Sequence, residues 1–220
     1  MIIEPVAYFR SPLKEKFGIP RQAGLVPELK GEVRFVQPYD AAEAVRGLEE
    51  FDYCWLIWGF SLNDSTDFSP TVRPPRLGGN KRTGVFASRS PFRPNGLGLS
   101  CVRIESVEAG VLHVSGADLA DGTPVYDVKP YVEYADCRSG IRSGFVDYTD
   151  WPALEVEIPE DIVAVLGTDA SAALSGVLAQ DPRPRYQDDG GRVYGLSFGG
   201  FNVKFVVKGQ KVFVLSVEKY

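Results

Sequence analysis

Six cations, Arg73, Arg76, Lys81, Arg82, Arg89 and Arg93, fall between Thr71 and Gly98 with no Asp or Glu among them, in a chain of formal net charge -5. Gly, Pro, Asn, Ser and Thr fill the gaps. Guanidinium forks and closely approaching backbone amides are the chemistry of anion binding. Arg73, Arg76, Lys81, Arg82 and Arg93 flank Pro74-Pro75, Gly78-Gly79 and Pro94-Asn95, turns that would hold them along a groove. Phosphate contacts there would give an affinity that falls with salt. A solvated basic face, or bracing of a subunit interface, are the plainer readings of the same residues.

Arg89 has a more specific place. Alternation along 85–90 puts Val85, Ala87 and Arg89 on one face of an expected strand, so a charge ends a row of small apolar residues where it can meet a ligand. Arg21 and Gln22, in the loop between the first two strands, supply a donor fork and an amide that both donates and accepts. Asp118 and Asp121 sit in Asp118-Leu119-Ala120-Asp121-Gly122-Thr123-Pro124, a tight reversal by its Asp-Gly and Pro. Two carboxylates at one hairpin suit hydroxyls or an ammonium, although most such turns are structural. Beyond it, Val125, Asp127, Lys129 and Tyr131 are expected on one strand face and Tyr126 and Val128 on the other. An Asp127/Lys129 pair among aromatic and β-branched residues is costly unless satisfied, which reads as a structural ion pair or a reactive face.

These residues need elements to position them. Segments 5–11, 32–37, 51–60, 84–88, 99–107, 111–117 and 125–131 are rich in Val, Ile, Phe, Tyr and Trp and are separated by turn residues, the pattern of an antiparallel sheet or barrel. One helix is expected over 41–50, with Asp40 as its N-cap. A second unit begins after about residue 140. Helices over 159–167 and 168–179, the latter capped by Thr168, precede a meander of strands at 192–198, 201–207 and 212–217. The expected fold is mainly β: an antiparallel barrel over 1–140 and a small α+β domain over 141–220.

Absences narrow the chemistry further. The only histidine is His113, in the strand-like run Val111-Leu112-His113-Val114, where a surface or satisfied imidazole is expected rather than a catalytic one. Cys54, Cys101 and Cys137 are odd in number and far apart, which argues against disulfides and zinc; Cys54 and Cys101 are expected as reduced core residues. No G-x-G-x-x-G follows a strand, and Val85-Phe86 occupy the P-loop's Lys-Ser/Thr positions. No metal is expected. Neither a signal peptide nor an apolar run of membrane-spanning length is seen, so the expected location is the cytoplasm, without membrane contact.

The segment VRPPRLGGNKRTGVFASRSPFRPNGLGLS (72–100), together with SPLKEKFGIPRQAGL (11–25), DLADGTPVYDVKPYVEYA (118–135) and DPRPRY (181–186), resembles the TsaA-like, or TrmO, family of tRNA methyltransferases. The likeness covers most of the chain, in several long motifs in the right order. It implies a homodimeric S-adenosylmethionine enzyme whose cofactor site lies on a β-barrel. The implied substrate is tRNA bearing N6-threonylcarbamoyladenosine next to the anticodon, methylated on the exocyclic nitrogen. The resemblance places Pro20, Arg21 and Gln22, Ser61 and Leu62, Arg89, Leu99, and Asp118, Leu119, Ala120 and Asp121 at the cofactor. Ser61 and Leu62 depart from a His-Gln pair of some members, so only backbone contact is expected there.

The implied reaction gives Asp127 and Lys129 tasks. A carbamoylated nitrogen has a delocalised lone pair and needs a base and an aligned methyl donor. Asp127 is the expected base or orienting acceptor. Lys129 is expected to stabilise charge on the carbamoyl oxygen or to bind the threonyl carboxylate. Arg183, Arg185 and Tyr186 read as tRNA-positioning, by phosphate contact and base stacking, or as a linker with incidental charges. The competing function class is a non-catalytic β-barrel that binds RNA or a nucleotide through the same basic loops.

Overall fold

Alternating apolar residues in short runs build two main sheets, a closed barrel and an open four-stranded sheet, each packed on its own core. The computed structural model describes residues 2–63, 68–79, 81–149, 151–183 and 191–220. In chain order its elements are β1 (Ala7–Arg10), β2 (Lys30–Phe35), α1 (Ala42–Val45), β3 (Tyr53–Gly59), β4 (Thr71–Val72), β5 (Thr83–Gly84), β6 (Leu97–Glu108), β7 (Val111–Ser115), β8 (Pro124–Pro130), α2 (Glu133–Asp136), β9 (Glu155–Glu157), α3 (Glu160–Leu166), α4 (Thr168–Ala179), β10 (Tyr194–Phe198), β11 (Phe201–Lys208) and β12 (Lys211–Lys219).

Strands β1-β2-β7-β6-β3-β8 close into a barrel, all of its pairs antiparallel. Closure removes the exposed sheet edges and leaves one face of each strand for the core. Phe9, Val33, Cys54, Leu56, Val102 and Leu112 fill it, each 1% exposed or less. Fully burying such an aliphatic or aromatic side chain contributes about 1.5–3 kcal/mol. Burial also pushes the Cys54 thiol up to about 12, so it is an inert core group, as expected; Cys101 is half-buried.

The second sheet, β10-β11-β12-β9, carries α3 and α4 and has a separate core around Leu174, Leu178, Leu196, Phe205 and Val212. That core includes Leu13, Val26 and Leu29, from the excursion between β1 and β2. Phe17 stacks on Phe205 with centroids 6.3 Å apart, and Gly18 and Gly176 lie so close to Leu196 and Val26 that a Cβ would come within 2.4 and 2.6 Å of them. The excursion thus leaves the barrel, packs in the second core and returns.

Three expectations are corrected. The helix over 41–50 is a single turn, α1, followed by a 3-10 turn at Leu48–Glu50; Gly47, at φ 87°, separates them, and the N-cap position is Ala41 rather than Asp40. Residues 84–88 are not a strand: after the two-residue β5 the chain enters a 3-10 turn, Val85–Ala87, so the alternation argument for Arg89 fails. α4 begins at Thr168, but its N-cap is Gly167 and no side chain caps it. The sequence also missed β9, a three-residue strand parallel to β12.

Candidate functional site at the barrel rim

Two returns of the chain meet at the end of β7. The Gly24 amide donates to the Gly116 carbonyl (2.8 Å) and the Gly116 amide to the Leu29 carbonyl (3.0 Å), stitching the β1–β2 excursion to the turn before β8. Gly116 has φ 75°, the left-handed region glycine favours, and a Cβ there would lie 3.6 Å from Gly24. Leu119 and Ala120 are buried beneath the turn. Asp121 is committed to structure: its carboxylate accepts from the Ser11 amide (3.1 Å) and pairs with Arg10 at 3.7 Å.

Asp118 is different. Its Oδ1 accepts from Ser100 Oγ at 2.5 Å, and Ser100 in turn accepts from the buried Trp58 Nε1 at 2.9 Å. Burial raises the Asp118 pKa; the Ser100 hydroxyl, the backbone amides of Asp118 and Ala23, and the charge of Arg89 oppose that rise without cancelling it. Ser100 was not foreseen. Its signal is a polar residue at an inward position of β6, between the outward Leu99 and Cys101.

The basic loop brings Arg89 to the same place. Val85 is buried and its amide donates to the Pro70 carbonyl (3.0 Å). Ser88 Oγ donates back to the Val85 carbonyl (2.8 Å). Arg93, expected at substrate, braces this loop: Nη1 donates to the Ser88 carbonyl at 2.8 Å and the Val85 carbonyl at 3.3 Å. From this held turn Arg89 Nη1 donates to Gln22 Oε1 at 2.5 Å. Gln22 Nε2 donates to the Arg21 carbonyl at 2.5 Å, which fixes the amide's orientation. Gln22, Arg89 and Asp118 therefore converge, with Pro20 buried beneath the loop.

Other expected site residues lie elsewhere. Leu99 is 59% exposed on the outward side of β6, opposite in sense to Ser100. It registers with Ile57 on β3, which registers with Asp127 on β8, so Leu99 and Asp127 are two strand spacings, about 10 Å, apart. A register shift opposite Ile57/Trp58 leaves Tyr126 as an extra residue. Val125 consequently turns into the core while Asp127 and Lys129 are exposed, correcting the expectation that all three share a face. Asp127 Oδ1 accepts from the Val128 amide at 3.0 Å. Ser61 is exposed and Leu62 half-buried, in the turn after β3.

Arg73, Lys81 and Arg82 are exposed, and Arg76 belongs to the 3-10 turn Pro75–Leu77. Arg183 is largely buried, 10% exposed, and holds the Asp181 carboxylate with two bonds of 2.8 and 3.0 Å. Arg185 and Tyr186 lie outside the described residues. His113 stands between Glu32 and Glu108 at 3.7 and 3.5 Å, a surface contact remote from the rim. Among the described residues no group of His, Cys, Asp and Glu could hold a metal, and no single helix is long and apolar enough to cross a membrane.

A rim that joins a buried carboxyl to guanidinium and amide donors suits a ligand with a cationic end and an anionic end. Fold and site together define a closed antiparallel β-barrel, not a Rossmann sheet, with a charged candidate site at its rim. The chain belongs to the tRNA-methyltransferase O family: residues 8–137 match that family's N-terminal domain and residues 152–220 its C-terminal domain. It is 39% identical over 226 residues, 96% of each chain, to the tRNA (adenine(37)-N6)-methyltransferase of Escherichia coli. It is 44% identical over 211 residues, 91% of this chain and 90% of the relative, to a putative S-adenosylmethionine-dependent methyltransferase of Pseudomonas aeruginosa. The crystal structure of TrmO from Pseudomonas aeruginosa superposes with a TM-score of 0.82 at 36% identity, covering 100% of this chain and 97% of that one.

Proposed function

We propose that this protein transfers a methyl group from S-adenosylmethionine to the exocyclic N6 of adenosine 37 in tRNA, the acceptor carrying a threonylcarbamoyl group. The observation that carries this reading is the convergence of Gln22, Arg89 and Asp118 at the rim of a closed barrel, in a chain of this family. When bound, S-adenosylmethionine supplies an electrophilic methyl on a sulfonium. Arg89 would hold the carboxylate of its methionine end, with Gln22 completing the donor set. Asp118 would face its cationic part, which would add counter-charge to that of Arg89 at the buried carboxyl. Leu119 and Ala120 give the apolar floor.

Asp127, exposed on β8, would accept the proton that N6 loses on methylation, with S-adenosylmethionine supplying the methyl group. Lys129 stabilises negative charge on the carbamoyl oxygen. Both are exposed and hence open to a macromolecular substrate. Arg73, Lys81 and Arg82, exposed on the basic segment, meet tRNA phosphates, and the C-terminal domain assists in holding the tRNA. The protein works in the cytoplasm as a homodimer.

Transfer of labelled methyl from S-adenosylmethionine to tRNA tests the proposal. The wild-type protein labels tRNA and a correctly folded Arg89→Ala variant does not. Cofactor-independent tRNA binding without any transfer would instead favour the non-catalytic RNA-binding barrel.

A further inference from the structure

Arg21 does not point into the rim. Its guanidinium lies over the Trp151 ring, 3.6 Å from the centroid, and Nη2 donates to the Asp181 carbonyl at 3.2 Å. Both partners belong to the C-terminal unit. Trp151 is held in turn, its Nε1 donating to the Gln180 carbonyl at 3.4 Å, just past α4. Asp181 has φ 47°, unusual for a residue with a side chain, and its carboxylate is clamped by Arg183. That clamp fixes the direction of the carbonyl that Arg21 uses.

The chain of contacts continues to the cofactor side. The Arg21 carbonyl accepts from Gln22 Nε2, and Gln22 Oε1 accepts from Arg89. Leu13, Val26 and Leu29 anchor both ends of the same excursion in the C-terminal core. The loop that carries Gln22 is thus attached to the barrel mainly through Gly24 and the Gly116 turn, and to the C-terminal unit through buried apolar side chains and the Arg21 clasp.

We propose that the C-terminal unit is part of the cofactor site, with Trp151 and the Asp181 carbonyl as positioning groups that hold Arg21 and so orient Gln22 and Arg89 toward S-adenosylmethionine. This rests on the reading that Gln22 and Arg89 hold the cofactor. A unit that only assisted tRNA binding would leave cofactor affinity untouched. Here the unit sets that affinity even without tRNA, because preorganised donors bind more tightly than donors that must be ordered on binding.

The test measures S-adenosylmethionine affinity of the full-length protein by calorimetry, without tRNA, well below the unfolding temperature. Trp151→Leu keeps apolar bulk but removes the π face. It weakens binding about fivefold, the loss of one partly buried cation–π contact of ~1 kcal/mol. Trp151→Phe restores most of the affinity. In a Gln22→Ala background Trp151→Leu has little further effect, because the two act through one path. At saturating cofactor, turnover of Trp151→Leu is near wild type while the cofactor KM rises.

Unchanged affinity in Trp151→Leu, with Arg89→Ala strongly weakened, overturns the clasp and leaves the site reading intact. A full fivefold loss persisting on the Gln22→Ala background also overturns it. Wild-type affinity in Arg89→Ala overturns the site reading itself, and the clasp with it. Should Trp151→Leu not fold, the Trp151→Phe and Trp151→His pair carries the same comparison, with the weaker stacking face binding cofactor less tightly.

Discussion

Arg89 donates to the side-chain oxygen of Gln22 across 67 positions of sequence, tying the basic loop to the β1–β2 excursion. Neither segment is regular structure. One is held by Val85, Ser88 and Arg93, the other by apolar anchors in the second core. Their meeting point is therefore set by two separate packing problems, which is how loops come to hold a ligand with little reorganisation.

Arg89→Lys keeps the charge and loses the planar fork. Its cofactor affinity falls about tenfold or more, the scale of one charge-assisted hydrogen bond, ~1.5–3 kcal/mol. Titration calorimetry checks this, and a near-native affinity would place the carboxylate-binding group elsewhere.

Asp118→Asn opposes stability to function. The Asp118 pKa is raised by burial above its ordinary 3.8, so the unfolded chain holds the ionised form more comfortably than the folded one. The favourable contribution of the protonated group is complete below 3.8 and is lost as pH rises through the folded pKa. At pH 7 the amide, still accepting from Ser100, melts at a higher temperature than the carboxylate. That advantage shrinks on acidification, while cofactor binding at pH 7 weakens. Thermal unfolding across pH 3–7 (roughly the carboxylate range) reads both signs.

Asp127→Asn retains an acceptor and removes the proposed base. Turnover falls by about 10²–10⁴-fold with cofactor affinity unchanged. Steady-state kinetics beside a binding isotherm separate the two, and normal turnover would remove Asp127 from the chemistry.

Gly98 lies under the Trp58 ring, where a Cβ would approach Cε2 to 2.3 Å. Gly98→Ala forces the indole from its place and strains its bond to Ser100. The expected cost is about 1–3 kcal/mol of stability, measured by denaturant unfolding.

The barrel strands were legible because a closed antiparallel sheet needs alternation, and 51–60 and 99–107 carry it in β-branched and aromatic residues. β9 was not, since Glu155-Val156-Glu157 offers only one apolar residue and becomes a strand through β12. Residues 84–88 have strand composition, but Ser88 bonding back to Val85 tightens them into a turn. Gln22, Arg89 and Asp118 were legible as separate groups. Their companions Ser100 and Trp151 were not, because a serine inside a core strand and a tryptophan after a connector gain meaning only from contacts between distant segments. The face of Asp127 was misassigned relative to Val125 because one extra residue, Tyr126, resets the alternation.

Methyl transfer to one nucleoside of tRNA can be read directly. Nucleosides from tRNA carrying or lacking the threonylcarbamoyl group, incubated with this protein and S-adenosylmethionine, are analysed by mass spectrometry. The expected result is one added methyl on the threonylcarbamoyl nucleoside and none on unmodified adenosine. Absence of methylation on both tRNAs, with cofactor binding intact, would contradict it.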